Sequence, residues 1–179
     1  MEAPRRDFIK AVAATAAAGT VAGGVPPVAA SSAAQPRRRV EGIDAVAFDA
    51  YGTLFDVFSV TALCDELFPG NGPALAQLWR AKQLQYSLLR SLMGRHKDFW
   101  EVTDDALVYA SKSLGLDLTS ARCERLMEAY LTLTAFPDVK PGLEALRARG
   151  VRLAILSNGE PRMLEAAARS AGIDSLLDA

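Results

Sequence analysis

The chain reads Asp49-Ala50-Tyr51-Gly52-Thr53-Leu54-Phe55-Asp56 directly after a short apolar run, residues 43–48, in which Asp44 is the only charged residue. Such a run predicts a buried parallel strand. An aspartate at the carboxyl end of that strand lies where open α/β sheets bind their ligands, and its carboxylate can act as a covalent nucleophile. We therefore regard Asp49 as a candidate nucleophile. The alternative is an aspartate that only caps the next helix.

A second strand with a polar end is predicted later in the chain. Residues 151–156 are largely apolar and are followed by Ser157, Asn158 and Gly159. Apolar residues recur at helical spacing from residue 57 to about residue 135, and helices also flank the second strand. This order predicts an α/β fold: a Rossmann-type parallel sheet with an inserted helical cap. A right-handed crossover makes the strands parallel, so Asp49 and Ser157 are expected at the same edge of the sheet.

Composition excludes several classes of function. The chain has 179 residues and a net charge of −1, which gives no electrostatic reason to expect nucleic acid as a partner. It has one histidine, His96 in a polar loop that we expect at the surface, and two cysteines without paired spacing. Neither a zinc site nor Cys–His or Ser–His catalysis is therefore expected, and we predict no metal and no cofactor.

The beginning of the sequence resembles an export signal. Arg5-Arg6-Asp7-Phe8-Ile9-Lys10 is similar to the twin-arginine motif, and an uncharged stretch, residues 11–34, follows it with small residues that suit cleavage. This stretch is too weakly apolar for a stable membrane anchor. We expect a signal peptide over residues 1–34 and a periplasmic protein. The alternatives are a chance arginine pair or a mis-assigned start codon.

Three segments in this order resemble the (S)-2-haloacid dehalogenases of the haloacid dehalogenase superfamily. Residues 49–56 are similar to the superfamily's first motif, residues 79–93 to the family's cap segment, and residues 153–159 to the second motif. The resemblance covers residues 40–179. It implies a linker and first strand with the nucleophile loop over residues 35–57, a helical cap over residues 58–135, and the second part of the core over residues 136–179.

The resemblance also implies a reaction. In this family an aspartate carboxylate attacks the α-carbon of a 2-haloalkanoate, halide leaves, and water hydrolyses the ester, so that (S)-2-haloacids give (R)-2-hydroxyacids. Carried over, Asp49 is the nucleophile, Thr53 supplies it with a hydroxyl, and Arg80 binds the leaving halide or the substrate carboxylate. The other implied substrate-binding residues are Ala50 and Tyr51 through their backbone N–H groups, Ser157 and Asn158 for the carboxylate, and Tyr51, Leu84 and Phe99 for the apolar pocket.

These assignments have alternatives. Arg80 can be read as a solvent-facing helix arginine, Ser157 and Asn158 as a helix cap, and the apolar residues as ordinary core packing. The competing activity within the superfamily is that of a phosphatase, which places a second aspartate two residues after the nucleophile and binds Mg²⁺ beside it. Tyr51 occupies that position here, and a phenol is a poor substitute for a carboxylate ligand of Mg²⁺, so phosphatase activity is disfavoured.

The superfamily's third and fourth motifs do not occur before Ala179. We therefore expect an incomplete core, a first strand with one free edge, and a truncated dehalogenase with impaired activity. The alternative is a shortened, non-catalytic domain that binds a small acid or a partner. The resemblance also implies a homodimer formed through the cap helices.

Overall fold

The computed structural model describes residues 42–179. The predicted signal peptide lies outside these residues. Strands β1 (Ala45–Phe48) and β4 (Arg152–Ile155) form a parallel pair in which Phe48 lies opposite Ile155. The backbone N–H of Leu156 donates to the carbonyl of Phe48 at 2.8 Å, so the loops after both strands begin at the same edge. The predicted α/β class and the parallel arrangement are confirmed.

Strand β1 is not buried, and that part of the prediction is wrong. Ala45 and Ala47 are exposed, whereas Val46 and Phe48 are half-buried. Within the described residues, β1 pairs with β4 alone, so its second edge carries no strand. An apolar run predicts a strand, but it does not indicate how many neighbouring strands and helices cover it.

A helical segment lies between two short strands, β2 (Phe55–Asp56) and β3 (Thr134–Ala135), which pair antiparallel. The segment begins with a 3₁₀ turn, Val57–Val60, and continues with α1 (Thr61–Leu67), α2 (Gly72–Leu92), α3 (Phe99–Ser113) and α4 (Ser120–Ala129). Because β2 and β3 pair, the chain leaves and re-enters the core at one place. The helices are therefore an insertion after the first strand.

Capping residues set the boundaries of these helices. The Asp98 carboxylate accepts from the N–H of Glu101 at 2.7 Å and begins α3. The Thr119 hydroxyl accepts from the N–H of Arg122 at 3.4 Å and begins α4. Gly115 follows α3 with a φ of +67°, a conformation that favours glycine at a helix end.

Two more helices pack around β4. Leu143 of α5 (Val139–Arg147) and Met163 of α6 (Pro161–Ser170) are buried, as is Leu153 of β4. A 3₁₀ turn, Asp174–Leu176, leads to Asp178, whose N–H donates to the Leu153 carbonyl at 2.7 Å and whose carboxylate accepts from the Leu153 N–H at 2.8 Å. Strand β4 is thus hydrogen-bonded along both edges. Across the described residues, no helix has the length and apolar character needed to cross a bilayer.

Candidate active site

Asp49 lies in the tight turn that follows β1, and its side chain is exposed. The carbonyl of Ala50 closes this turn by accepting from the N–H groups of Leu54 and Phe55, both at 2.9 Å. The Thr53 hydroxyl donates to Oδ2 of Asp49 at 3.2 Å. The cap role belongs instead to Asp56, whose carboxylate accepts from the N–H of Phe58 at 2.9 Å. The alternative in which Asp49 caps the next helix is therefore wrong.

Tyr51 forms the buried floor beside Asp49. Its ring stacks on that of Phe99 with centroids 5.1 Å apart, and its hydroxyl is buried without a hydrogen-bond partner. Burial, reinforced by Tyr130, raises the pKa of the Tyr51 hydroxyl well above its usual range. The ring depends on Gly159, where a Cβ would lie 2.7 Å from Cε2 of Tyr51. The second motif therefore supports the first by leaving room for this ring.

Arg80 is fixed between the helical segment and the nucleophile turn. Its Nη2 donates to the backbone carbonyl of Tyr51 at 2.8 Å, and its Nη1 donates to the side chain of Gln83 at 2.7 Å. Burial lowers the pKa of Arg80, while Tyr130 and Asp49 oppose that shift. An arginine nevertheless stays protonated in proteins. Two hydrogen bonds thus fix the charged side chain of Arg80 on the side of Asp49. The alternative in which Arg80 faces solvent is wrong.

A buried polar relay behind Arg80 was not predicted from the sequence. The amide of Gln83 donates to the Thr103 hydroxyl at 2.6 Å, and that hydroxyl donates to the carbonyl of Phe99, also at 2.6 Å. Gln83 and Thr103 are fully buried. A signal for this relay was present, because Gln83 follows Trp79 by four residues on the buried face of α2, where a polar side chain requires partners.

Ser157 and Asn158 follow β4 at the same sheet edge as Asp49. The Ser157 hydroxyl accepts from the N–H of Gly159 at 3.2 Å, and the side chain of Asn158 is exposed. The N-cap position of α6 is Glu160, so neither residue caps that helix, contrary to the alternative considered above. Both side chains remain available to the cleft.

One cleft of about 400 Å³ brings these residues together. All the predicted site residues line it except Ala50, which is buried beneath the turn, and Thr53, which contacts Asp49 from outside the cleft. The cleft-facing residues of α2 follow one helical stripe with spacings of four, three, one and three residues: Arg80, Leu84, Ser87, Leu88 and Ser91. The last three were not predicted, although the stripe follows from Arg80 and Leu84 by helical periodicity.

Leu84 and Phe99 differ in how they contribute to the cleft. Phe99 is buried against Tyr51, whereas Leu84 of α2 is 52% exposed. Core packing therefore explains why position 99 holds an apolar side chain. It does not explain the apolar side chain of Leu84, which is not buried. Among residues 42–179, no cluster of three or more His, Cys, Asp or Glu side chains could bind a metal ion. The chemistry visible in the cleft is that of one carboxylate, one guanidinium, hydroxyl and amide groups, and apolar side chains.

Comparisons with known proteins show the family of this chain. The sequence model of the haloacid dehalogenase-like hydrolases matches residues 43–179. An (S)-2-haloacid dehalogenase of Pseudomonas sp. (strain YL) is 50% identical over 131 residues, which are 73% of this chain and 56% of the relative. Haloacetate dehalogenase H-2 of Moraxella sp. (strain B) is 46% identical over 132 residues, 74% of this chain and 59% of the relative.

Solved structures show the same likeness. The structure of L-2-haloacid dehalogenase from Xanthobacter autotrophicus with chloropropionic acid covalently bound superposes with a TM-score of 0.72 at 46% identity. The match covers 76% of this chain and 55% of that one. The chain thus spans somewhat more than half the length of the relatives it matches.

Proposed function

Since this chain belongs to the haloacid dehalogenase-like hydrolases, we propose that its cleft catalyses the hydrolytic dehalogenation of (S)-2-haloacids to (R)-2-hydroxyacids through an ester on Asp49. The observation that carries the proposal is the position of Asp49, Arg80 and the Ser157–Asn158 pair around one cleft. Relatives of up to 50% identity that bear the name of 2-haloacid dehalogenases support it.

In the first step a carboxylate oxygen of Asp49 attacks the α-carbon, and the carbon–halogen bond breaks with its electron pair on the halide. Oδ2 is held by Thr53 at 3.2 Å, so Oδ1 is the oxygen free to attack. In the second step water attacks the Asp49 ester carbonyl, which releases the hydroxyacid and a proton and restores the carboxylate. The oxygen that enters the product is therefore that of Asp49.

Arg80 is suited to hold the leaving halide or the substrate carboxylate. A guanidinium has five N–H donors, and the bonds to Tyr51 and Gln83 use one each on Nη2 and Nη1. The remaining donors and the permanent charge can stabilise the anion that develops as the bond breaks. Because the guanidinium is already fixed, it needs little reorganisation during the reaction.

Ser157 and Asn158 are assigned to the substrate carboxylate, and Tyr51, Leu84 and Phe99 to its alkyl part. The exposed amide of Asn158 supplies donors from the sheet edge, while Leu84 offers apolar surface from α2. The backbone N–H groups of Ala50 and Tyr51 are proposed as further donors to the substrate. A phosphatase reaction has less support, because the position of its second acid holds a buried phenol.

The proposal is tested by halide release from (S)-2-chloropropionate, followed by mass spectrometry of the peptide that contains Asp49. Single turnover in H₂¹⁸O should place the label in the Asp49 carboxylate first. The variant D49N should abolish both the halide release and the labelling of this peptide. Hydrolysis with the label appearing directly in lactate at the first turnover would contradict an aspartyl ester. An ester that accumulates without lactate would support the first step alone.

We also propose that the chain is exported to the periplasm by the twin-arginine route. The support is the Arg5-Arg6 motif and the uncharged stretch that follows it, both read from the sequence. Cell fractionation of the tagged chain tests this, with R5K/R6K as the variant expected to stay in the cytoplasm.

A homodimer through the helical segment is a further part of the proposal. The second half of α2 and the residue that follows it expose a row of apolar side chains that suits a covered surface: Leu88, Leu89, Leu92 and Met93. Light scattering of the wild type and of L89E/L92E distinguishes a dimer from a monomer. Leu89 and Leu92 lie outside the reaction cleft, so the variant leaves the cleft lining intact.

A further inference from the structure

A second cavity adjoins the reaction cleft. It measures about 280 Å³, and the residues that line it but not the reaction cleft are Arg90, His96, Lys97 and Val102. Both cavities are lined by Ser87, Ser91, Phe99, Ser157 and Asn158. We name this second cavity the vestibule. Because these five residues line both cavities, the two cavities are direct neighbours.

Arg90 presents a buried donor that lacks a partner. Its Nη2 contacts Oδ2 of Asp105 at 2.6 Å, and its guanidinium lies 5.4 Å from the centre of the Tyr86 ring. Nη1 of Arg90 is buried and has no hydrogen-bond partner. Buried polar groups are nearly always hydrogen-bonded, and a charged donor left without an acceptor is costly. The described part of the protein therefore leaves one donor of Arg90 without an acceptor.

The lining of the vestibule offers donors without carboxylates. Lys97 lies 3.5 Å from Asp105 and 3.6 Å from Glu101, but neither acid lines the cavity. These two acids hold Arg90 and Lys97 in position from the α3 side. The lining adds the hydroxyl of Ser87 to the two cations, whereas the Ser91 hydroxyl donates to the carbonyl of Ser87 at 2.9 Å. Such a set of donors selects an anion.

Resting on the proposed dehalogenase function, we propose that the vestibule binds the distal carboxylate of a dicarboxylic 2-haloacid whose reacting end lies at Asp49. Arg90, which lines the vestibule, binds this carboxylate through its guanidinium, and Lys97 adds charge. The cavity has room for a carboxylate, because about 280 Å³ is several times the ~30 Å³ that one water molecule occupies in the liquid. A tethered carboxylate also has the advantage of a high effective concentration.

Calorimetric titration with unreactive acids tests the subsite without turnover. The wild type should bind at least one of succinate, glutarate and adipate about tenfold more tightly than the monocarboxylate of equal length, which is the effect of one charge-assisted hydrogen bond. R90M should abolish this preference, and K97M should reduce it. K82M is the matched control, since Lys82 lies on the same helix over the Tyr109 ring at 4.2 Å and lines neither cavity.

Three outcomes overturn the subsite: equal affinity for both series of acids, a preference that survives R90M, or bromide binding that depends on Arg90 without any dicarboxylate preference. The last would assign the vestibule to the released halide. If R90M does not fold, R90K gives the same comparison because it keeps a charge near Asp105 but lacks Nη1. A dicarboxylate preference without halide release would contradict the proposed function alone, whereas halide release without that preference would contradict the subsite alone.

Discussion

Nη2 of Arg80 donates a 2.8 Å hydrogen bond to the backbone carbonyl of Tyr51, two residues after Asp49. This bond joins the helical insertion to the nucleophile turn across 29 residues of sequence. Any displacement of α2 away from the sheet therefore breaks the contact that positions the guanidinium beside the carboxylate.

We expect R80K to lower kcat/KM for (S)-2-chloropropionate by about 100-fold or more, the usual effect of removing a preorganised donor from a developing charge. Lysine keeps the charge but cannot reach Tyr51 and Gln83 at once with a planar group. Steady-state kinetics measure the effect, and R125K is the control because Arg125 pairs with Glu66 at the surface. Equal losses in both variants would contradict the assigned role.

Gly159→Ala is expected to lower the free energy of unfolding by about 1–3 kcal/mol, as overpacking does. The new Cβ would lie 2.7 Å from Cε2 of Tyr51 and 2.9 Å from Cδ2 of Leu164. Gly142→Ala is the control, because nothing lies within 4 Å of its Cβ and it is inside α5. Urea denaturation should show that G142A is neutral or stabilising. A G159A protein as stable as G142A would refute the close approach.

Thr103→Val should cost about 1–3 kcal/mol of stability because it leaves the buried amide of Gln83 without its acceptor. Thr103→Ser retains the hydroxyl and should recover most of that loss. The double variant Q83L/T103V should lose less than the two single losses added together, since both partners are then removed. Additive losses in the denaturation experiment would show that the two side chains act independently.

The two thiols should react slowly in the folded protein. Burial raises the pKa of Cys64 to about 11, and burial together with Asp104 raises that of Cys123 to about 12. Since the folded state holds these protons more tightly, the stability they contribute is complete below the unfolded pKa near 8.5 and is lost as pH rises through the folded values. Ellman's reagent at pH 8 should label both thiols far faster in urea, and rapid labelling of the native protein would contradict this.

The sequence predicted the parts of the fold that local patterns encode. Asp49 and Ser157 were expected at one sheet edge because each follows an apolar run and the connection between them is right-handed. The free edge of β1 was also expected, but the apolar run alone does not predict that Ala45 and Ala47 are exposed, because burial depends on neighbours that the run does not specify. The same limit applies to Arg90 and Asp105, which meet between α2 and α3 at 2.6 Å. The spacing of residues within one helix does not indicate which residue of another helix they contact.

The cleft was only partly predictable for a similar reason. Arg80 and Leu84 were assigned through the resemblance, and helical spacing extends their stripe to Ser87, Leu88 and Ser91. The Gln83–Thr103 relay joins two helices through buried side chains, so only the buried position of Gln83 could have suggested it. Burial of a polar residue signals that a partner exists, but it does not say which one.

The single stripe on α2 limits how this protein can change in evolution. An α-helix turns by about 100° per residue, so deleting or inserting one residue between Arg80 and Ser91 would rotate one end of the stripe away from the cleft. Point substitutions alter one contact at a time and can be selected separately. In this segment, therefore, substitutions can change the substrate preference, whereas insertions and deletions would disrupt the cleft lining.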